Sequence, residues 1–146
     1  MPTRGYAHRI DVRAPRELVW RALLEPELLS QWYGAEARVA PRAGGSYRIR
    51  VDVDLEREAH IDVFEPGRRL RLIYMPQAGM PATDSVIVDD FMIDSDAAGT
   101  SLRLLGSGYP EDGDWEIFYR RLRHGWPRAL ARLKVALEKL AGETAS

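Results

Sequence analysis

Between Asp114 and Ala141 the apolar residues Trp115, Phe118, Tyr119, Leu122, Trp126, Ala129, Leu130, Leu133, Leu137 and Leu140 recur every three or four positions. That spacing places them along one side of a long helix. Glu116, Arg120, Arg121, Arg123, Arg128, Arg132, Lys134, Glu138 and Lys139 fall on the other side, with Lys134 and Glu138 spaced for a weak i,i+4 pair. The helix would extend roughly 40 Å, more than closing a small core requires, so a curved sheet is expected to wrap around it. Gly125 and Pro127 interrupt the pattern. Proline removes a donor and crowds the preceding turn, which predicts a kink. Gly125 either admits a neighbouring segment at close range or opens a gap beside Trp126.

The rest of the chain changes period twice. Tyr6, His8, Ile10 and Val12 alternate with polar residues as in a half-buried strand. Pro15 and then Leu18, Val19, Ala22 and Leu23 predict one short helix; Pro26, Leu28, Leu29, Trp32 and Tyr33 predict another that ends at Gly34. From Ala35 to Gly108 the period is two, with turn residues spaced as in an antiparallel meander. Strands are predicted over Ala35–Ala40, Tyr47–Val53, Glu58–Phe64, Leu70–Tyr74, Val86–Ile93 and Ser101–Ser107, seven with the first. The Pro76–Thr83 and Gly108–Asp114 stretches read as longer connections that could rim an opening, and Gly142–Ser146 as a loose tail.

A chain of 146 residues fits one domain, 1–146, able to bury a core unaided. It has no cysteine, which excludes disulfides, thiolate metal sites and a cysteine nucleophile. No signal-peptide core and no membrane-length apolar run occurs, so a cytoplasmic location is the expectation. A net charge of −1 argues against a nucleic-acid binder, and the Arg120–Arg132 cluster reads as a solvated helix face. His8, His60 and His124 lie on separate elements without metal-ligand spacing, so neither a metal nor a cofactor is expected. Gly106-Ser107-Gly108 is too short for a phosphate loop or a nucleophile elbow.

Several strings carry a resemblance: Ala14-Pro15 with Val19-Trp20, Glu25-Pro26-Glu27-Leu28 with Trp32, Gly44-Gly45, Glu65-Pro66-Gly67-Arg68-Arg69-Leu70, Gly99-Thr100 and Gly125-Trp126. The chain resembles the START-like (SRPBCC) superfamily, in the branch related to the activator of the Hsp90 ATPase. The resemblance implies an α+β helix-grip fold, an antiparallel sheet curled around the C-terminal helix with two short helices closing one end. It also implies an apolar cavity between helix and sheet for a lipid-like or other hydrophobic molecule. His8, Trp20, Trp32, Tyr47, Tyr74, Phe118, Leu122 and Trp126 are the expected lining, with His8 as the polar contact. Two alternatives come with the resemblance. A polyketide cyclase or hydrolase would need a base facing the cavity; His8, His60, Asp89 and Arg103 are the candidates, the last two reading as solvent-facing strand positions, although the consecutive Val86, Ile87 and Val88 leave the parity of Asp89 ambiguous, and no convincing catalytic set emerges. A chaperone-directed interaction protein would have Hsp90 as its partner. The expected assembly is a monomer or a homodimer paired through a strand edge.

Overall fold

The computed structural model describes residues 2–77 and 79–145. Its elements are β1 (Thr3–Val12), α1 (Arg16–Leu24), α2 (Pro26–Leu29), β2 (Ala35–Val39), β3 (Ser46–Asp52), β4 (Leu55–Glu65), β5 (Arg69–Tyr74), β6 (Val88–Asp96), β7 (Gly99–Pro110) and α3 (Gly113–Ala145). The strands form one antiparallel sheet in the order β1-β7-β6-β5-β4-β3-β2. Consecutive strands from β2 to β7 pair as a meander, and β1 closes against β7. The link from β1 to β2 must therefore cross from one edge of the sheet to the other, and α1 and α2 make that crossing. The open edges are β1 and β2.

The long helix forms as its spacing predicts. Asp112 starts it, its Oδ1 accepting the Trp115 N–H at 3.2 Å and satisfying one free donor of the first turn. Trp115, Tyr119, Leu122, Trp126, Ala129, Leu130, Leu133 and Leu137 are all buried. The helix lies along β1: Arg4 pairs with Glu116, the Tyr119 hydroxyl donates to the Gly5 carbonyl at 2.6 Å, and Lys134 donates to the Asp11 carbonyl at 2.8 Å. Further along, Glu138 accepts the Arg13 N–H at 2.9 Å. These ties run in step along both elements and fix the helix to one edge of the sheet.

Four expectations change. No neighbouring segment approaches Gly125, whose missing side chain faces open space, in a helix that runs on past Pro127. Val53, expected on the buried face of β3, sits in the two-residue turn after Asp52 and is 88% exposed. The Gly108–Asp114 connection shrinks to Glu111 and Asp112, because β7 runs on to Pro110 and α3 starts at Gly113. The expected tail from Gly142 is helical as far as Ala145, and Ser146 lies outside the described residues. In the Pro76–Thr83 connection Ala78 also lies outside them; Met80 packs against the core and the Ala82 carbonyl accepts the Trp115 indole N–H at 3.3 Å.

Candidate functional site

The inner face of the sheet is not an empty apolar channel. A polar knot occupies it, one residue from each of five adjacent strands: Arg57 on β4, Tyr74 on β5, Asp89 on β6, Tyr109 on β7 and Tyr6 on β1. Asp89 is 0% and Arg57 2% exposed. Arg57 donates to Asp89 at 3.0 Å and to the Tyr109 hydroxyl at 3.1 Å, and its guanidinium lies 3.7 Å from the centre of the Tyr74 ring, a cation–π distance. Tyr6 and Tyr74 donate to Asp89 at 2.5 and 2.7 Å. The Trp126 indole N–H reaches the Tyr6 hydroxyl at 3.0 Å, which ties α3 to the knot.

Gly106 makes this convergence possible. It pairs with Tyr6 across β1 and β7 and with Asp89 across β7 and β6. A Cβ there would lie 2.5 Å from the Tyr6 ring, so only glycine lets the ring lie flat over the strand and reach Asp89. Burial, with Asp89 adding to it, pushes the Tyr6 phenol well above its ordinary pKa. Burial likewise raises Tyr74 and Tyr109. For Arg57 burial alone would favour the neutral form; the surrounding tyrosines and Asp89 outweigh it and hold the guanidinium charged. The knot is thus sealed and internally compensated, the condition under which charges persist inside a protein.

Asp89 therefore corrects the expectation of a solvent-facing position. Its partner Arg57 was missed, although Leu55, Arg57, Ala59 and Ile61 share one strand face; a strand begun at Glu58 leaves that parity unread. Arg103 does face outward and pairs with Asp94 at 3.1 Å. His60 lies half-buried on the opposite face from Arg57, its ring 3.3 Å from the Met75 sulfur.

An opening remains on the flank of α3 away from β1. It has a volume of about 290 Å³ between the helix and the β3–β4 hairpin. Leu122, Gly125, Trp126 and Ala129 contribute from α3, Val51 and Leu55 from the hairpin, and Tyr33 from the segment after α2. Charged groups surround this apolar floor: Asp52, Arg121, Arg128 and Arg132. Arg121 bridges the gap to Asp52 and Asp54 at 3.3 and 2.5 Å, joining helix to hairpin. Gly125 matters here because any side chain at that point would project into the space. A larger hollow of about 830 Å³ lies between the start of α1 and the C-terminal part of α3.

Of the expected lining, Leu122 and Trp126 meet at this opening. The others serve the framework. Tyr47 donates to the Leu23 carbonyl at 2.7 Å, fastening the helical crossing to the sheet, and Trp32 donates to the Ala22 carbonyl at 2.9 Å, holding the segment after α2 against α1. Trp32 also faces a shallow groove beside the opening. Tyr74 belongs to the knot. Trp20 packs edge-on against Phe64 at 5.3 Å and Phe118 against Trp115 at 5.3 Å. His8 is half-buried beside Tyr6, with rings 5.4 Å apart, and its Nε2 is sealed without a partner. Burial, aided by the Arg123 charge, lowers its pKa. Tyr33, absent from the expected lining, packs its ring 4.8 Å from that of Trp126. Its hydroxyl lies near Arg57 and Tyr74 but has no hydrogen-bond partner among the described residues.

The model of the family "Activator of Hsp90 ATPase homolog 1-like protein" matches residues 13–138. The chain belongs to this family. Solved structures similar to this member of the family include protein MLL2253 from Mesorhizobium loti, 26% identical over 93% of this chain and 98% of that one, with a TM-score of 0.80. The Aha1 dimer from Colwellia psychrerythraea is 21% identical over 92% and 96%, with a TM-score of 0.79. DynU16, a protein of the dynemicin biosynthetic locus, is 22% identical over 92% of this chain and 47% of that one, with a TM-score of 0.75. The last two likenesses are of fold. They bear out the helix-grip architecture of seven strands, long helix and short helices. No curated protein matches the sequence. Among the described residues no helix is long and apolar enough to cross a membrane, and no cluster of side chains suits a metal ion.

Proposed function

We propose that this family member binds a small amphipathic molecule, without chemistry, in the opening between α3 and the β3–β4 hairpin. The observation that carries this reading is the space of about 290 Å³ against the apolar floor of Leu122, Trp126, Ala129, Val51 and Leu55. A concave apolar surface with a few polar groups at its margin is the usual form of a small-molecule site. Its volume is at the low end for such sites, which favours a compact ring system over a long lipid. Catalysis has less support, because the ionisable groups at the opening are arginines, an aspartate already held by Arg121 and Tyr33, whose phenol burial raises above its ordinary value, an arrangement without an available base.

The chaperone-directed alternative has the family's name and the likeness to the Aha1 structure behind it. Among the described residues the large apolar side chains left exposed are Val53, Met75, Val86, Leu105, Ile117 and Val135, on several separate elements, so the small-molecule reading is better supported by the surface. Titration with naphthylmethanol and naphthoate, followed through the Trp126 indole N–H resonance, tests the site. At least one probe should shift that resonance, and Gly125→Leu, which fills the space, should abolish the shift while the circular dichroism spectrum is retained. No shift with either probe, or an equal shift in Gly125→Leu, overturns the reading.

A further inference from the structure

The charges around the opening are not balanced in the same way. Arg121 is spent on Asp52 and Asp54. Arg132 donates its Nε to the Trp32 carbonyl at 3.1 Å, which orients the side chain without neutralising it. Arg128 has no hydrogen bond or ion pair among the described residues. Arg128 and Arg132 are one helical turn apart, where like charges repel each other. They do so at the mouth of a concave apolar surface, where a ligand's charge is less screened than on an open face. A molecule bringing one negative charge to this position would relieve the repulsion and fill the guanidinium donors.

We infer that the guest is an aromatic or compact alicyclic carboxylate, its ring on Trp126 and Leu122 and its acid group held by Arg128 and Arg132. This rests on the small-molecule reading above. Guanidinium forks match the planar, bidentate geometry of a carboxylate. The acid is monoanionic, which suits a rim that also carries Asp52; a phosphate ester would bring a second charge against that carboxylate. Arg132 is pre-set by the Trp32 carbonyl, so less side-chain freedom is lost when the acid arrives.

Calorimetric titration of the full chain with naphthoate, naphthylmethanol and naphthyl phosphate tests the class. Naphthoate should bind about tenfold or more tightly than the alcohol, the discrimination of one good charge-assisted contact, and ahead of the phosphate. That preference should weaken as salt is raised. In Arg128→Gln/Arg132→Gln the preference should vanish while the alcohol binds as before, which shows that the floor is intact. Equal binding of acid and alcohol, a preference that survives in the double variant, or phosphate bound ahead of carboxylate overturns the inference and leaves the site itself standing. Binding of none of the three overturns the site as well, so the two failures are distinguishable.

Discussion

Trp126 stands between two groups of arginines that the fold treats in opposite ways. On its inner side Arg57 is 2% exposed, faces Asp89 and Tyr109 and lies over Tyr74. On its outer side Arg128 and Arg132 are exposed and, among the described residues, meet no carboxylate. A guanidinium removed from water must bring its counter-charge with it, and the knot supplies one from the same chain. At the rim, water carries the cost of leaving a charge unpaired, so a partner can come from outside. The difference teaches that the buried ion pair belongs to the framework, whereas the uncompensated pair is where an external ligand has something to complete.

The largest expected effect concerns the protons of the buried tyrosines, those of the knot among them. Burial raises the phenols of Tyr6, Tyr33, Tyr47, Tyr74 and Tyr109 above their ordinary value. A group that holds its proton more firmly when folded gives stability that is fully present below the unfolded pKa, near 10, and is lost as pH rises beyond it. Each such phenol removes about 1.4 kcal/mol of stability per pH unit in that range. Alkaline titration should therefore show phenolate absorbance appearing together with loss of circular dichroism in one cooperative step. Gradual ionisation of these tyrosines in a still-folded protein would break the comparison, because the knot would then be open to water.

Next comes Asp89→Ala, expected to cost about 3–5 kcal/mol in urea denaturation because it leaves Arg57 charged and unpaired inside. It also strips the acceptor from the hydroxyls of Tyr6 and Tyr74. Gly106→Ala should cost less, about 1–3 kcal/mol, since a methyl group would push the Tyr6 ring off its strand. If that variant is as stable as the parent and keeps the Trp126 indole resonance unchanged, the close approach of ring and strand is not what positions the knot.

At the outer site the sign reverses. Gly125 faces open space, so Gly125→Ala should stabilise the helix by up to about 1 kcal/mol in the same denaturation experiment. A methyl group is too small to close the opening, so binding should survive. A destabilised Gly125→Ala would mean that the turn is packed, and the contrast between sealed and open sides of Trp126 would fail.

Why one side was legible and the other was not follows from what a sequence pattern encodes. Periods of two and of three to four report which face of an element is buried, and they sufficed for the seven strands, both short helices and the apolar side of α3. They also brought Leu122 and Trp126 to the opening. They carry no information about partners across strands: Arg57 and Asp89 are 32 positions apart and meet over Tyr74 of the strand between them. The consecutive Val86, Ile87 and Val88 hid the parity of Asp89, and Gly106 looked like part of a failed phosphate motif when its role was to make room for Tyr6. Much of the expected lining is tied into the framework for a related reason. Tyr47, Tyr74 and Trp32 are large enough to line a cavity, but their polar atoms bind inside the fold, and size alone does not distinguish a wall from a plug.

The smallest effect belongs to His8, which faces the knot from β1 without joining it. Its Nε2 is sealed and unpaired, and burial, with Arg123 close by on α3, lowers its pKa; Asp89 acts the other way and is outweighed. Here the folded state binds its proton less readily than the unfolded chain does. Above the ordinary histidine value, near 6.5, both states are neutral and His8 has no pH effect. As pH falls below it the unfolded chain takes up the proton first, so stability declines until the folded pKa is passed. Thermal unfolding between pH 7 and pH 5, compared in the parent and in His8→Gln, should show a shallower decline in the variant. Parallel curves would mean that this imidazole reaches water freely, and that the sealed region around Tyr6 ends one residue pair earlier along β1.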